Sequence, residues 1–578
     1  MLNLSYFVQI KRHQMKFEEY QYERPEMVDF STRFESLLNQ FKEASDLSTQ
    51  NELFSQINEM RTEFMSMYNI CYIRHTVDTS NEFYEKENSF FDREMPAYEG
   101  LNTQFYRLLL ESKFRKELEA KWGSQLFTIA ELSLKTFKPA ILQDMQEENR
   151  LSSEYVKLKA SAKIDFNGKE HNLSSIYVEE TGPDRDSRAA AATAKWAFFE
   201  ANAEAFDSIF NMLVKTRHGI AKKLGFQNFI ELGYARMLRS DYNAEMVAHF
   251  REQIRQYVVP LATSLYERQR KRLGIEELKY YDEEFRFASG NPAPKGDPNW
   301  IINNANEMYS ELSEETHEFF RFMQDNQLMD LETKPSKATG GYCTYIGKFK
   351  APYIFSNFNG TSGDIDVLTH EAGHAFQVYA SRNIGINEYN WPTYEACEIH
   401  SMSMEFFTWP WMHLFFKADT NKYKFAHLSN AICFLPYGVA VDEFQHFVYE
   451  NPEATPKERN KAWKAIEHKY LPHRDYDGNQ YLENGGFWQK QSHIYSSPFY
   501  YIDYTLAQIC AFQFWLKDQK NHRHAWADYL RLCKAGGSKS FLELVKLANL
   551  SSPFEDNGIA SVVKDIKTWL DSIDDSDF

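Results

Sequence analysis

Apolar residues recur every three or four positions among charged ones over most of this chain, a period that predicts amphipathic helices. Between Pro25 and Glu148 the stripe is carried by Phe34, Leu37, Leu38 and Phe41, and later by Leu108, Leu109, Phe114 and Leu118. From about Tyr242 to Arg272 it passes through Met246, Phe250, Ile254, Val258 and Leu261, predicting a long rod kinked at Pro260. The alanine-rich run Ala189 to Ala194 predicts a helix capped by Asp186 or Ser187. The period shortens to alternation in two places. Around Asn167-Gly168 it predicts a tight hairpin, and from Tyr342 to Asn359 it predicts two short strands around Gly347 that lead into a helix. Ser289 to Asn299 and Leu331 to Gly341 read as connectors. Beyond Ser362 the pattern is mostly helical, broken at Pro392, Pro410, Pro436, Pro452 and Gly485-Gly486, and it ends in an acidic tail expected to fray. The fold class is therefore predominantly α with a minor sheet. Residues 1–150 form an N-terminal helical region, 151–340 a mostly helical middle region, 341–570 the region with the chemistry below, and 571–578 the tail.

Composition narrows the class. A chain of 578 residues with 43% hydrophobic content can bury more than one compact core. Its 34 Tyr and 46 Phe are enough to line clefts as well as the interior. A formal net charge of −17 excludes a nucleic-acid partner, which needs clustered Lys and Arg against phosphate. The most apolar stretch, Ala426 to Val441, is interrupted by His427, Ser429, Asn430 and Pro436, so no membrane span is expected and the protein should be soluble. Six separated cysteines without a C-x-x-C pair fit reduced thiols and a cytoplasmic location. Met1 to His13 has its charges after its apolar residues and no small-residue cleavage site, so it is a poor signal peptide, and Met15 is an alternative start. Nothing in the sequence specifies an oligomeric state.

The candidate chemistry begins at His370-Glu371-Ala372-Gly373-His374, an H-E-x-x-H pattern. At about 3.6 residues per turn both imidazoles share one helix face and reach one metal ion, with Glu371 beside them as general base. Asp366, one turn earlier on the same stripe, is either a carboxylate that orients a ligand histidine or an ordinary first-turn acid. The next helical segment, Thr393 to Thr408, offers Glu398 and Glu405 two turns apart among apolar neighbours, and Glu398 is the candidate third ligand of a His-His-Glu zinc site. The segment Tyr353 to Asn357 is either an exposed edge that pairs with an extended peptide or a plain buried strand. On the first reading Tyr353, Phe355, Asn357 and the nearby Gly360 would bind substrate.

The segments GGYCTYI, APYIFSNFNGTSGDIDVLTHEAGHAFQ and EIHSMSME, with a further match near Gly485 to Tyr504, resemble the oligoendopeptidase F and thimet oligopeptidase family of zinc peptidases. The resemblance implies an elongated, zincin-like, multi-helix metallopeptidase with a small β-sheet beside the active-site helix and a deep substrate channel, partly walled by residues 151–340. It implies one Zn2+ per chain on His370, His374 and Glu398, with Glu405 behind the ligands. It also implies hydrolysis of internal bonds of short peptide substrates by a metal-activated water. His493, Tyr501 and Tyr504 are then the groups that meet the substrate and its oxyanion; Tyr501 and Tyr504 share a helix face by spacing, and whether Tyr500 or Tyr501 approaches the substrate stays open. Two other readings of the same residues stay open. One is a metallocarboxypeptidase or dipeptidase, since the ligand set does not say where a peptide is cut. The other is a peptide-binding scaffold without turnover.

Overall fold

The computed structural model describes residues 15–334, 336–556, 558–576 and 578; the segment Met1 to His13, read above as a poor signal peptide, lies outside the described residues. Helices dominate because the apolar stripes find one another. Met27–Glu43, Leu47–Val77 and Glu82–Glu111 pack side by side and bury Phe34, Phe41, Phe54 and Phe105 in a core of their own. A larger core runs from Tyr20 to Leu570 through all the other layers. Asp46 and Asn81 cap two of these helices by accepting from backbone amides of the first turn.

Several expected boundaries shift for physical reasons. The helix Arg185–Ala201 is capped by Asp184 and not by Asp186 or Ser187, because a capping oxygen must reach an amide further along, here the Ser187 N–H. The rod from Ala244 to Arg272 is continuous: a π-helical step, Ile254–Val258, precedes Pro260 and absorbs the hydrogen bond that proline cannot make. Pro436 does not break its helix either. It lies buried inside Thr420–Glu450, where packing on both sides outweighs the lost backbone bond. The acidic tail is tethered, since Asp575 accepts from Arg268 and Arg272 while Phe578 packs against Phe287 and Phe425.

Strands are few. β1 (Ile164–Phe166) and β2 (Lys169–His171) form the expected hairpin, with Asn167 and Gly168 both at positive φ. β3 (Met329–Glu332), β4 (Tyr342–Ile346) and β5 (Ala351–Phe358) make one sheet in the order β3-β5-β4, with β3 parallel and β4 antiparallel to β5. β3 ends inside the segment read as a connector. β5 is the central strand, which corrects the expectation of an exposed edge at Tyr353 to Asn357. Tyr353 and Phe355 are buried, and the Asn357 amide donates to the carbonyls of Ala338 and Gly340. Among the described residues the free edge beside the motif helix belongs to β4. Alternation alone could not distinguish these strands, because both carry the same residue types.

Candidate active site

The motif helix, Gly363–Ser381, starts where the Asp364 carboxylate accepts from the N–H groups of Asn359 and Gly360, both at 2.8 Å. Gly360 sits at φ +86° in this turn, and with its amide bound to Asp364 it shapes the helix start. One turn apart on the helix, the rings of His370 and His374 have centroids 5.0 Å from each other.

The carboxylate helix, Tyr394–Phe407, crosses the motif helix at Gly373. A Cβ at Gly373 would stand 2.6 Å from the His400 carbonyl oxygen and 2.7 Å from Ser401 Cα, so glycine is what permits the close crossing. That approach delivers Glu398 Oε2 to 3.2 Å from His370 Nε2 and 3.5 Å from His374 Nε2. The three donor atoms lie within 4.8 Å of one another. Zinc bonds of about 2.0–2.2 Å at tetrahedral angles separate ligand atoms by about 3.3–3.5 Å, so spacing and donor chemistry both fit a His-His-Glu zinc site with a fourth position open. Ser401 donates to Glu398 Oε2 (3.0 Å), and the Tyr500 hydroxyl donates to Glu398 Oε1 (2.9 Å).

Behind the histidines stands Glu405. Its Oε1 lies 2.7 Å from His370 Nδ1 and its Oε2 2.7 Å from His427 Nε2, the latter on the helix Thr420–Glu450. The His427 Nδ1 accepts from the Trp409 indole N–H (3.3 Å). A carboxylate at Nδ1 keeps the proton there and leaves the Nε2 lone pair facing Glu398 and His374. Asp366 does not take this role. Its carboxylate accepts from the Tyr423 hydroxyl (2.5 Å), and burial pushes its pKa up to about 6. The sequence stripe was right about the face and wrong about the partner, because the helix carrying Glu405 lies closer to the His370 ring edge. Burial disfavours charge on both His370 and Glu398. The carboxylates of Glu398 and Glu405 outweigh it at His370, raising its pKa well above the imidazole range by holding a second proton on Nε2 where a metal would bind, and the charge of His374 with hydrogen bonds from both histidines lowers Glu398 well below the carboxylate range.

Glu371 is buried on the same helix, and burial raises its carboxyl pKa despite the two neighbouring histidines. The start of β4 flanks it: a Cβ on Gly341 would come within 3.6 Å of Glu371 Oε1. The base therefore lies between the free edge strand and the candidate metal ligands.

The tyrosine helix, Tyr501–Lys520, supplies the opposite wall. Tyr500 and not Tyr501 reaches the ligands, because its backbone already has helical φ and ψ and so pairs with Tyr504 one turn on, their rings 4.9 Å apart. Tyr501 instead packs against His493 (5.0 Å), Phe434 and Tyr437. Burial lowers the His493 pKa to about 4, keeping it neutral. The Gln491 amide, its orientation fixed by the Tyr437 hydroxyl, donates to His493 Nδ1 (2.8 Å), which leaves the proton on Nε2, 3.4 Å from the Tyr504 oxygen.

Beside this group opens a cavity of about 770 Å³ lined by Trp391, Tyr394 and Tyr500 on the side of the ligands and also by Tyr106, Phe229 and Tyr345. A buried pair, Arg61 with Glu388 at 2.5 Å, ties an N-terminal helix to the catalytic region along its wall. Gly373 and His427 were missed in the sequence, and Tyr500 stood there only as an alternative to Tyr501. A glycine in mid-helix between two histidines was the one available signal, since it weakens a helix unless something must pack closely.

Comparison with known proteins agrees with this arrangement. Residues 17–137 match the peptidase M3 N-terminal domain, and residues 180–563 match peptidase family M3. The chain is similar to a solved structure of PZ peptidase A with an inhibitor, at 62% identity and a TM-score of 0.94 over 97% of this chain and 100% of that one. It is also similar to a putative oligoendopeptidase F from Bacillus anthracis str. Ames, at 56% identity and a TM-score of 0.90 over 98% of this chain and 99% of that one. An oligoendopeptidase F homolog from Borreliella burgdorferi is 24% identical over 363 residues, 60% of this chain and 58% of the relative's own length. With a family match extending over most of its length and a His-His-Glu cluster within it, the chain belongs to peptidase family M3 and is a metallopeptidase of oligoendopeptidase F architecture.

Proposed function

We propose that this protein is a zinc-dependent endopeptidase that hydrolyses internal bonds of short peptides. The observation that carries the reading is the convergence of His370, His374 and Glu398 beside the buried Glu371, next to a cavity that Tyr500 lines together with residues of the N-terminal and middle regions. Zinc on those three residues would polarise the scissile carbonyl and lower the pKa of water toward neutrality. Glu371, its pKa raised by burial, takes the proton of the attacking water and passes it to the leaving amine. The Tyr500 and Tyr504 hydroxyls are non-ionising donors, their pKa values raised by burial and by Glu398, and they stabilise the developing oxyanion, Tyr500 by turning its one proton from Glu398 to the oxyanion and Tyr504 with support from His493 Nε2–H. The free edge of β4 pairs with the extended peptide backbone, the role first sought in β5. Regions 1–150 and 151–340 act as channel walls, since Tyr106 of the first and Phe229 of the second line the cavity. A reducing, intracellular location is supported by six free cysteines, and no helix among the described residues is long and apolar enough to cross a membrane.

The test is an internally quenched peptide blocked at both ends, incubated with and without chelator, with products mapped by mass spectrometry. Internal cleavage that chelation abolishes and zinc restores is expected. Cleavage only after an end is unblocked would make the enzyme an exopeptidase, and an intact peptide under all conditions would leave a binding protein.

A further inference from the structure

The turn that brings Tyr500 to Glu398 contains a strained residue. Ser497, Pro498, Phe499 and Tyr500 close on a hydrogen bond from the Tyr500 N–H to the Ser497 carbonyl (3.1 Å), with Pro498 in the second position and Phe499 at φ +67° in the third. That third position normally takes Gly or Asn, which tolerate the left-handed region, whereas a bulky side chain there is a rare outlier. Phe499 is the only aromatic residue at positive φ among the described residues.

The strained conformation is held from three sides. The Phe499 N–H donates to Gln445 Oε1 (2.8 Å), its carbonyl accepts from Arg239, and its ring is fully buried among Tyr234, His446 and Tyr449 at 5.1–5.5 Å. Gly233 makes room for the ring, since a Cβ there would stand 2.5 Å from Phe499 Cδ2. The same Arg239 nitrogen reaches Asp503 Oδ1 (2.6 Å) in the first turn of the tyrosine helix. Tyr500 is thus fixed from behind by Phe499 and from ahead by Asp503. A buried ring cannot leave its pocket without opening a void, so the turn has one accessible conformation where a glycine would allow many.

We propose that Phe499 is a positioning residue for catalysis: its anchored left-handed turn holds the Tyr500 hydroxyl beside Glu398, where its one proton has only to swing from that carboxylate to the oxyanion. The strain is kept because a relaxed turn would let Tyr500 swing out of the site. This rests on Tyr500 being an oxyanion donor, and the test separates the two ideas.

Phe499→Gly, Tyr500→Phe and the double variant are compared for kcat, KM, zinc content and circular dichroism. Phe499→Gly is expected to keep its zinc and helicity, to lose about tenfold or more in kcat and to change KM by less than about threefold. The double variant should turn over like Tyr500→Phe alone, since a residue acting only through Tyr500 has nothing left to position. Gly233→Ala, which crowds the ring without emptying its pocket, runs through the same cycle and should show the same non-additivity even if Phe499→Gly folds poorly. Wild-type kcat in both Phe499→Gly and Gly233→Ala, or losses that multiply with that of Tyr500→Phe, would overturn the positioning role while leaving Tyr500 its own. Wild-type turnover in Tyr500→Phe would remove both.

Discussion

Replacing Glu405 by alanine separates a carboxylate that organises the metal site from one that merely lies near it. The Glu405 side chain bonds His370 Nδ1 and His427 Nε2, each at 2.7 Å, and burial screens neither contact. Removing it frees the His370 ring to turn and to carry its proton on either nitrogen, so only a fraction of the apoenzyme presents the Nε2 lone pair. Loss of such a supporting carboxylate weakens metal binding by about 10–100-fold, or about 1.4–2.7 kcal/mol. The His427 donor is also orphaned, which costs about 1–3 kcal/mol of apoenzyme stability but no zinc affinity of its own. Zinc dissociation constants from competition with a chromophoric chelator, at fixed pH, read the first effect, and the thermal midpoint of the apoenzyme reads the second. Asp366→Asn is the control: its carboxylate accepts from Tyr423, so its zinc affinity should stay within about threefold of wild type. An unchanged dissociation constant in Glu405→Ala, or a larger loss in Asp366→Asn, would refute this account of the histidine's support.

Glu371→Gln should bind zinc as the wild type does, measured by elemental analysis, while losing about 10²–10⁴-fold in turnover, because the amide has no basic lone pair for the water proton. Gly373→Ala should lower both zinc occupancy and thermal stability, since its methyl would meet the His400 carbonyl at 2.6 Å; a folded, zinc-replete variant would show that the two helices can separate freely. Acidification should destabilise the fold through His446 and His473, whose pKa values burial lowers from 6.5 to about 4. Between those values the unfolded chain binds more protons, so stability is lost as pH falls from about 7.5 to 5, by about 2 kcal/mol for each histidine. The urea midpoint should therefore depend less on pH in His446→Gln/His473→Gln, and an unaltered dependence would count against the buried neutral pair.

The sequence by itself determined the helical character, the hairpin at Asn167-Gly168 and which residues form the candidate metal cluster, because these follow from local periods, turn chemistry and ligand spacing. His370 and His374 are paired by one helix turn, and Glu398 stands on the next suitable helix. Most of what depends on how separate elements pack was illegible. Whether β5 is edge or centre depends on β3 and β4 pairing on either side of it, and no single strand encodes that. By spacing alone Asp366 and Glu405 are equally good carboxylates, and only the resemblance placed Glu405 behind the ligands. Only the crossing at Gly373 and the seat of His427 on a distant helix gave His370 to Glu405. Tyr500 and Tyr501 differ by one position, and the choice between them fell to a turn whose strained φ at Phe499 is imposed by Arg239, Gln445 and the pocket at Gly233. Local pattern specifies which groups are available; long-range packing, which fixes orientation to a fraction of an ångström, decides which of them meet.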